Sequence, residues 1–198
     1  MCYNENMRAD YINPSVYSKV FHLLNYENAL ALRTSLETGL RISDVLKIEV
    51  KDFHNTTIDF VAQKTGKKGK KKISADLAKR LRNISGKRWV FEGRNGDKPR
   101  TRQAVWKDVK KVAESLQIKE NLTCHSARKT YAVELFHDQG INKVQKELQH
   151  NRLDTTMIYA FSDFLNGKKT DINNNEDKIN EILILVRDIH KYILGEKK

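Results

Sequence analysis

Four separated segments of this chain carry side chains that can act on a phosphate. In Thr38-Gly39-Leu40-Arg41-Ile42-Ser43-Asp44 an arginine follows a helix break and opens the next helix, where backbone amides already favour an anion. A surface ion pair between Arg41 and Asp44 is the competing account. In Gln63-Lys64-Thr65-Gly66-Lys67, Lys64 lies at the tip of an expected strand, where a hairpin can dip it into a site. A lysine donates a proton well only if its pKa falls, and nearby arginines would lower it. His125-Ser126-Ala127-Arg128 places two cations at i and i+3 near a helix start, close enough to grip one ligand, although a structural histidine beside a surface arginine fits the same four residues. His150 and then Tyr159 follow across the polar turn Asn151-Arg152. A lone helical tyrosine is more often packing than nucleophile.

These residue types meet the needs of an in-line displacement at a phosphodiester, which requires a nucleophilic oxygen, neutralised non-bridging oxygens and a proton for the departing oxygen. Tyr159 would supply the oxygen. A phenol has a pKa near 10 and must lose its proton during attack, with His125 as the base candidate. Arg41 and Arg128 would clamp the phosphate, since planar forks match paired oxygens and stay charged. His150 would add a hydrogen bond, and Lys64 would protonate the leaving oxygen. No metal, nucleotide or other cofactor is expected, because the chain has no GxxxxGKS loop, carboxylate pair or Cys/His set spaced for metal.

Bulk properties set the context. The 198 residues fit one domain with a small appendage. Hydrophobic residues at 39% and charged residues at 31% exclude a disordered or membrane-spanning chain, and no apolar run approaches the roughly 20 residues that cross a bilayer. The N-terminal MCYNENMRADYINP has no apolar signal core, so a cytoplasmic location and no membrane association are expected. Cys2 and Cys124 read as ordinary reduced thiols. Lysine and arginine total 37 against 25 acidic residues, a formal charge of +12, which suits a polyanion such as nucleic acid. Lys64, Lys67, Lys68, Lys70, Lys71 and Lys72 cluster around Gly66 and Gly69; a solvated, self-repelling loop is the alternative.

The elements that must position these groups are mostly helical. Helices are expected over 15–25 and 27–38, with Gly39 as a left-handed stop, and over 42–48. Alternation at Ile58, Phe60 and Ala62 predicts a strand, and the lysine tract turns the chain into a second strand near 70–73. Ala75 to Ile84 reads as helix, Trp89-Val90-Phe91 as a short apolar strand, and Thr101 as the cap of a helix running to about Leu116. Three more helices are expected from His125 to about Phe164, broken near Gly140 and Arg152. A polar joint at Asn173, Asn174 and Asn175 precedes a final helix from about Glu176 to Leu194. Its Ile179, Ile182, Val186, Ile189 and Ile193 form an apolar seam that can pack in cis or on a neighbouring protomer. The fold class is therefore mainly α with a small antiparallel β-sheet (α+β), divided into residues 1–172 and a helical tail, 173–198.

In their order and intervals, TGLRISD, KTGK, HSAR and LQHNRLDTTMIY closely resemble the tyrosine recombinase (phage integrase) signature, over roughly residues 14–165. The resemblance implies a tyrosine recombinase catalytic domain, with Arg41, Lys64, His125, Arg128, His150 and Tyr159 at the family's active-site positions and Asp44 at its usual acidic position. It implies a 3′-phosphotyrosyl intermediate with a free 5′-hydroxyl, resealed without a cofactor, in site-specific recombination or integration of DNA. Double-stranded DNA is the implied partner, bound by a homotetramer that is a monomer or weak oligomer without it, with accessory DNA-bending proteins possible in such systems. Lys67, Lys68, Lys70, Arg100, Arg102 and Lys107 are the expected DNA-backbone contacts, joined by Lys110 and Lys111. The chain departs from the pattern at Ala127 and Gln149, where the family has leucine and glycine, and at Lys129, often histidine. Only a short segment precedes the catalytic domain, so the usual N-terminal DNA-clamping domain is expected to be absent. Two rival readings share the scaffold: type IB topoisomerase-like relaxation, and a non-catalytic DNA-binding regulator.

Overall fold

The structure is a computed structural model, and it describes residues 9–148. His150, Tyr159, the expected break near Arg152, the joint at Asn173–Asn175, the final helix and the division at residue 172 lie outside the described residues.

Side-chain caps open each of the longer helices before the last. Asn13 accepts from the Ser15 amide at the start of α1 (Pro14–Leu23), and Asn25 from Glu27 at the start of α2 (Tyr26–Thr38). Ser74 serves α4 (Ala75–Ile84) and Thr101 serves α5 (Arg102–Ser115), accepting from Leu77 and Ala104. Each side-chain oxygen satisfies a first-turn N–H that has no partner within its helix. Helix α2 is central, and its buried residues, including Ala29, Leu30, Ala31, Leu32, Thr34, Ser35 and Thr38, cover more than one face. It packs against α1, α3 (Ile42–Val45), α4 and α6 (Ser126–Leu148).

The sheet has three antiparallel strands in sequential order, β1 (Phe53–His54), β2 (Thr57–Val61) and β3 (Lys68–Lys72). Its β2–β3 hairpin pairs Ile58 with Lys71 and Asp59 with Lys70. Ile58 and Ala62 face inward as their alternation predicts, and Ile73 closes the same apolar surface. The mainly helical α+β class read from the sequence is the observed one. The short β1 was missed, since two residues carry no period to detect.

Three local expectations are corrected. The helix expected over 42–48 is a single turn, Ile42–Val45. The chain then unwinds because Ile48 and Val50 exchange backbone hydrogen bonds with Val90 and Arg88. For the same reason Trp89-Val90-Phe91 is no strand: Trp89 forms one isolated bridge to Glu49, and Val90 and Phe91 sink into the core. The break expected near Gly140 does not occur, and α6 runs unbroken from Ser126 to Leu148. A helical glycine costs about 1 kcal/mol relative to alanine. Here it falls within the i+4 series Ala132, Phe136, Gly140, Val144 and Leu148, and burial of Ala132, Val144 and Leu148 in one apolar cluster outweighs that cost.

Candidate active site

Gly39 ends α2 with φ +70°, and a Cβ there would lie 2.4 Å from Cδ1 of Tyr131 on α6. Both the left-handed backbone and the close approach therefore require glycine. The turn is stiffened by Ser35, whose hydroxyl donates to the Leu40 carbonyl at 2.7 Å, and by Thr38, whose oxygen accepts from the Leu40 amide at 3.2 Å. Arg41 leaves this turn as the cap residue of α3, its side chain partly exposed. With only one turn behind it, α3 supplies little dipole, so the positive charge of this corner comes from side chains.

Arg41 and His125 open on one pocket of about 270 Å³, completed by Ile42, Ser43, Thr123, Cys124, and by Arg102, Trp106 and Lys110 of α5. The last three recur at i, i+4 and i+8, one face of a helix. Arg102 was read in the sequence as a backbone contact and Lys110 as its neighbour. Their convergence with Arg41 and His125 was not, nor was the place of Trp106, a residue 39% exposed. The spacing was legible, but which face met the site depended on packing of Val105, Val109 and Val112 into the core.

His125 is crowded by protein yet open to solvent on its pocket side. Its pKa is pushed down to about 4, first by burial and then by the positive charges of Arg128, Arg41, Lys129 and Arg102. The imidazole is thus neutral at pH 7 and can accept a proton. Cys124, in the same wall, is pushed up to about 11 by burial, against opposing pulls from Arg102 and Lys110. It stays a thiol and contributes shape.

Arg128 is 3% exposed. One terminal guanidinium nitrogen donates to the Gly39 carbonyl at 2.5 Å and the other to the Leu148 carbonyl at 3.0 Å. Arg128, expected as a phosphate clamp, is not among the residues lining the pocket of Arg41 and His125; it joins the turn before Arg41 to the last turn of α6.

Lys64 sits exposed in the β2–β3 turn, which closes through bonds from the Ala62 amide to Lys67 and from the Gly66 amide to Ala62. It does not line the pocket. Asp44, 4% exposed, accepts from the Gln63 amide at 3.1 Å and lies 4.0 Å from the Arg41 guanidinium. One carboxylate thus brackets the segments that carry Arg41 and Lys64, which is a larger role than the ion pair read from the sequence. Lys67 and Lys68 are exposed, as are Lys107 on α5 and Lys70, which pairs with Asp59 at 3.2 Å. Arg100 is placed differently, held by Glu27 and by Asn28 at 3.1 Å, so its charge is engaged by the fold.

Residues 11–165 match the model of the phage integrase family. The chain belongs to that family. It is 28% identical over 150 residues to tyrosine recombinase XerD of Staphylococcus saprophyticus, covering 68% of this chain and 50% of that protein. It is 29% identical over 148 residues to XerD of Halalkalibacterium halodurans, covering 67% and 48%. The chain thus spans about half the length of the curated relatives it matches. Among solved structures, the catalytic domain of bacteriophage HP1 integrase superposes with a TM-score of 0.60 at 21% identity, over 85% of this chain and 98% of that one. The XerH recombinase bound to palindromic difH substrate gives 0.65 at 19% identity, over 81% and 52%. The fold is that of a tyrosine recombinase catalytic domain.

Proposed function

We propose that this chain cuts and rejoins double-stranded DNA as the catalytic part of a tyrosine site-specific recombinase. The observation that carries the reading is the pocket in which Arg41, His125, Arg102 and Lys110 converge. Convergent cations of this kind suit the non-bridging oxygens of a phosphodiester.

In this reading the Tyr159 oxygen attacks phosphorus as His125 takes the phenolic proton. Arg41 binds the non-bridging oxygens, Arg128 adds charge and His150 a hydrogen bond. The bond from phosphorus to the 5′ oxygen breaks, and Lys64 gives that oxygen its proton, leaving a 3′-phosphotyrosyl link and a 5′-hydroxyl. Attack by another strand's 5′-hydroxyl reverses the steps. Lys67, Lys68, Lys70, Arg102 and Lys107 contact the DNA backbone, and residues 173–198 are the candidate for joining protomers into a tetramer, against packing of their apolar seam on their own domain. The family membership and the XerH complex with its difH substrate support DNA as the ligand.

The test is a library of nicked duplexes with randomised sequence, incubated with the chain and with Tyr159→Phe, and then denatured. A covalent protein–DNA adduct at a 3′ phosphate, absent with Tyr159→Phe, is expected. Salt-sensitive binding with no adduct on any sequence would replace this reading with a binding-only role.

A further inference from the structure

Lys71 lies in the middle of the lysine run but does not share its environment. It is 8% exposed, whereas Lys68, Lys70 and Lys72 on the other face of β3 are open to solvent. Its ammonium meets the Glu147 carboxylate, donates to the Glu147 carbonyl at 3.2 Å, and sits 5.5 Å from the centroid of the Tyr131 ring. Lys143, one turn earlier on α6, also reaches Glu147, at 3.4 Å.

Packing alone does not account for a lysine at this place. Its cross-strand partner Ile58 is fully buried and Ile73, the next inward residue, is 7% exposed, so an aliphatic side chain would continue the surface. Burying an ion pair carries a desolvation cost that apolar residues avoid, and such pairs are most defensible where they fix one arrangement among several. What this pair fixes is visible. The carbonyls of Glu147 and Leu148, at the end of α6, are held by Lys71 of β3 and by Arg128. Cations suit a helix C-terminus, where carbonyls lack partners. From that end the chain is two residues from His150. From β3 it runs back through the turn that carries Lys64, and Arg128 reaches the turn before Arg41.

We propose that Lys71 is a positioning residue: through Glu147 it locks the hairpin bearing Lys64 onto the end of α6, so that the proton donor is presented with the phosphate-binding groups. The proposal rests on the phosphoryl-transfer reading above.

Its test uses the full chain and a nicked duplex selected from the library, made with an ordinary 5′ oxygen or a 5′ sulfur at the scissile link. A thiolate leaves without a proton, so it bypasses Lys64. Lys71→Met is expected to slow single-turnover adduct formation on the oxygen substrate by about tenfold to a hundredfold, the scale of a small misplacement, and to recover most of that loss on the sulfur substrate. Lys71→Arg should keep most activity on both. DNA affinity and its salt slope should be unchanged, because Lys71 is buried. Equal loss on both substrates, wild-type rate on the oxygen substrate, or a salt slope reduced by about one as for a phosphate contact would each overturn the proposal. Should Lys71→Met fail to fold, Glu147→Gln carries the same comparison. If the unmodified chain forms no adduct on either DNA, it is the functional reading that fails. Hydrogen exchange then decides the positioning role: faster exchange of the Ala62 and Gly66 amides in the variant supports it, and unchanged exchange refutes it.

Discussion

A terminal nitrogen of the Arg128 guanidinium lies 2.5 Å from the carbonyl oxygen of Gly39. That residue is the bolt between α6 and the turn that delivers Arg41. Arg128→Lys keeps the charge but loses the fork that reaches Gly39 and Leu148 together. Unfolding free energy from urea titration is expected to fall by about 1–3 kcal/mol, the cost of leaving a buried acceptor unmatched.

Gly39→Ala tests the other side of the same contact. A methyl group at φ +70° would lie 2.4 Å from the Tyr131 ring. Left-handed strain and overpacking together should cost about 3 kcal/mol. A denaturation midpoint equal to that of the unmodified chain would refute the packing described for this turn.

His125 gives the fold a pH dependence of definite sign. Its folded pKa of about 4 lies below the ordinary 6.5, so the unfolded chain binds the proton more readily. Its contribution to stability is full above pH 6.5 and is lost as pH falls from there through 4. The open side of the ring tempers the effect. Denaturation at a series of pH values across that window should show a shallower acid-side decline in His125→Gln, and equal slopes would contradict the cation crowding.

Asp44→Ala removes the acceptor for the Gln63 amide at the base of the Lys64 turn. Cleavage should fall well before DNA affinity does, measured as adduct rate against anisotropy binding. Asp44→Asn retains an oxygen there and should lose less.

Two arginines close together in sequence are expected to behave oppositely. Arg102 lines the pocket, so Arg102→Ala should weaken DNA binding and lower the salt slope by about one. Arg100 is held by Glu27 and Asn28, so Arg100→Ala should lower the melting temperature with little change in salt slope. Matching salt responses would contradict the separate placements.

What was legible in the sequence was local. Thr101 announces α5 by its own side chain, Gly39 ends α2 because few other residues take that φ, and the alternation around Ile58 gives β2. What escaped depends on partners distant in sequence. Trp89 and Val90 meet Glu49 and Ile48 instead of forming a strand, and α6 passes Gly140 because Val144 and Leu148 are buried beyond it. Lys71 looks like its neighbours until β3 acquires an inside and an outside. The family motif is recognisable by residue type and order, whereas the two carbonyl bonds of Arg128 and the bracketing by Asp44 needed the assembled corner.

The structural role of Arg128 changes what its presence in a sequence can diagnose. A descendant that stopped cutting DNA would still need that guanidinium to keep α2 and α6 in place, so selection for a stable scaffold alone would preserve Arg128. Inventories that infer activity from that arginine alone will count silent scaffolds as working enzymes.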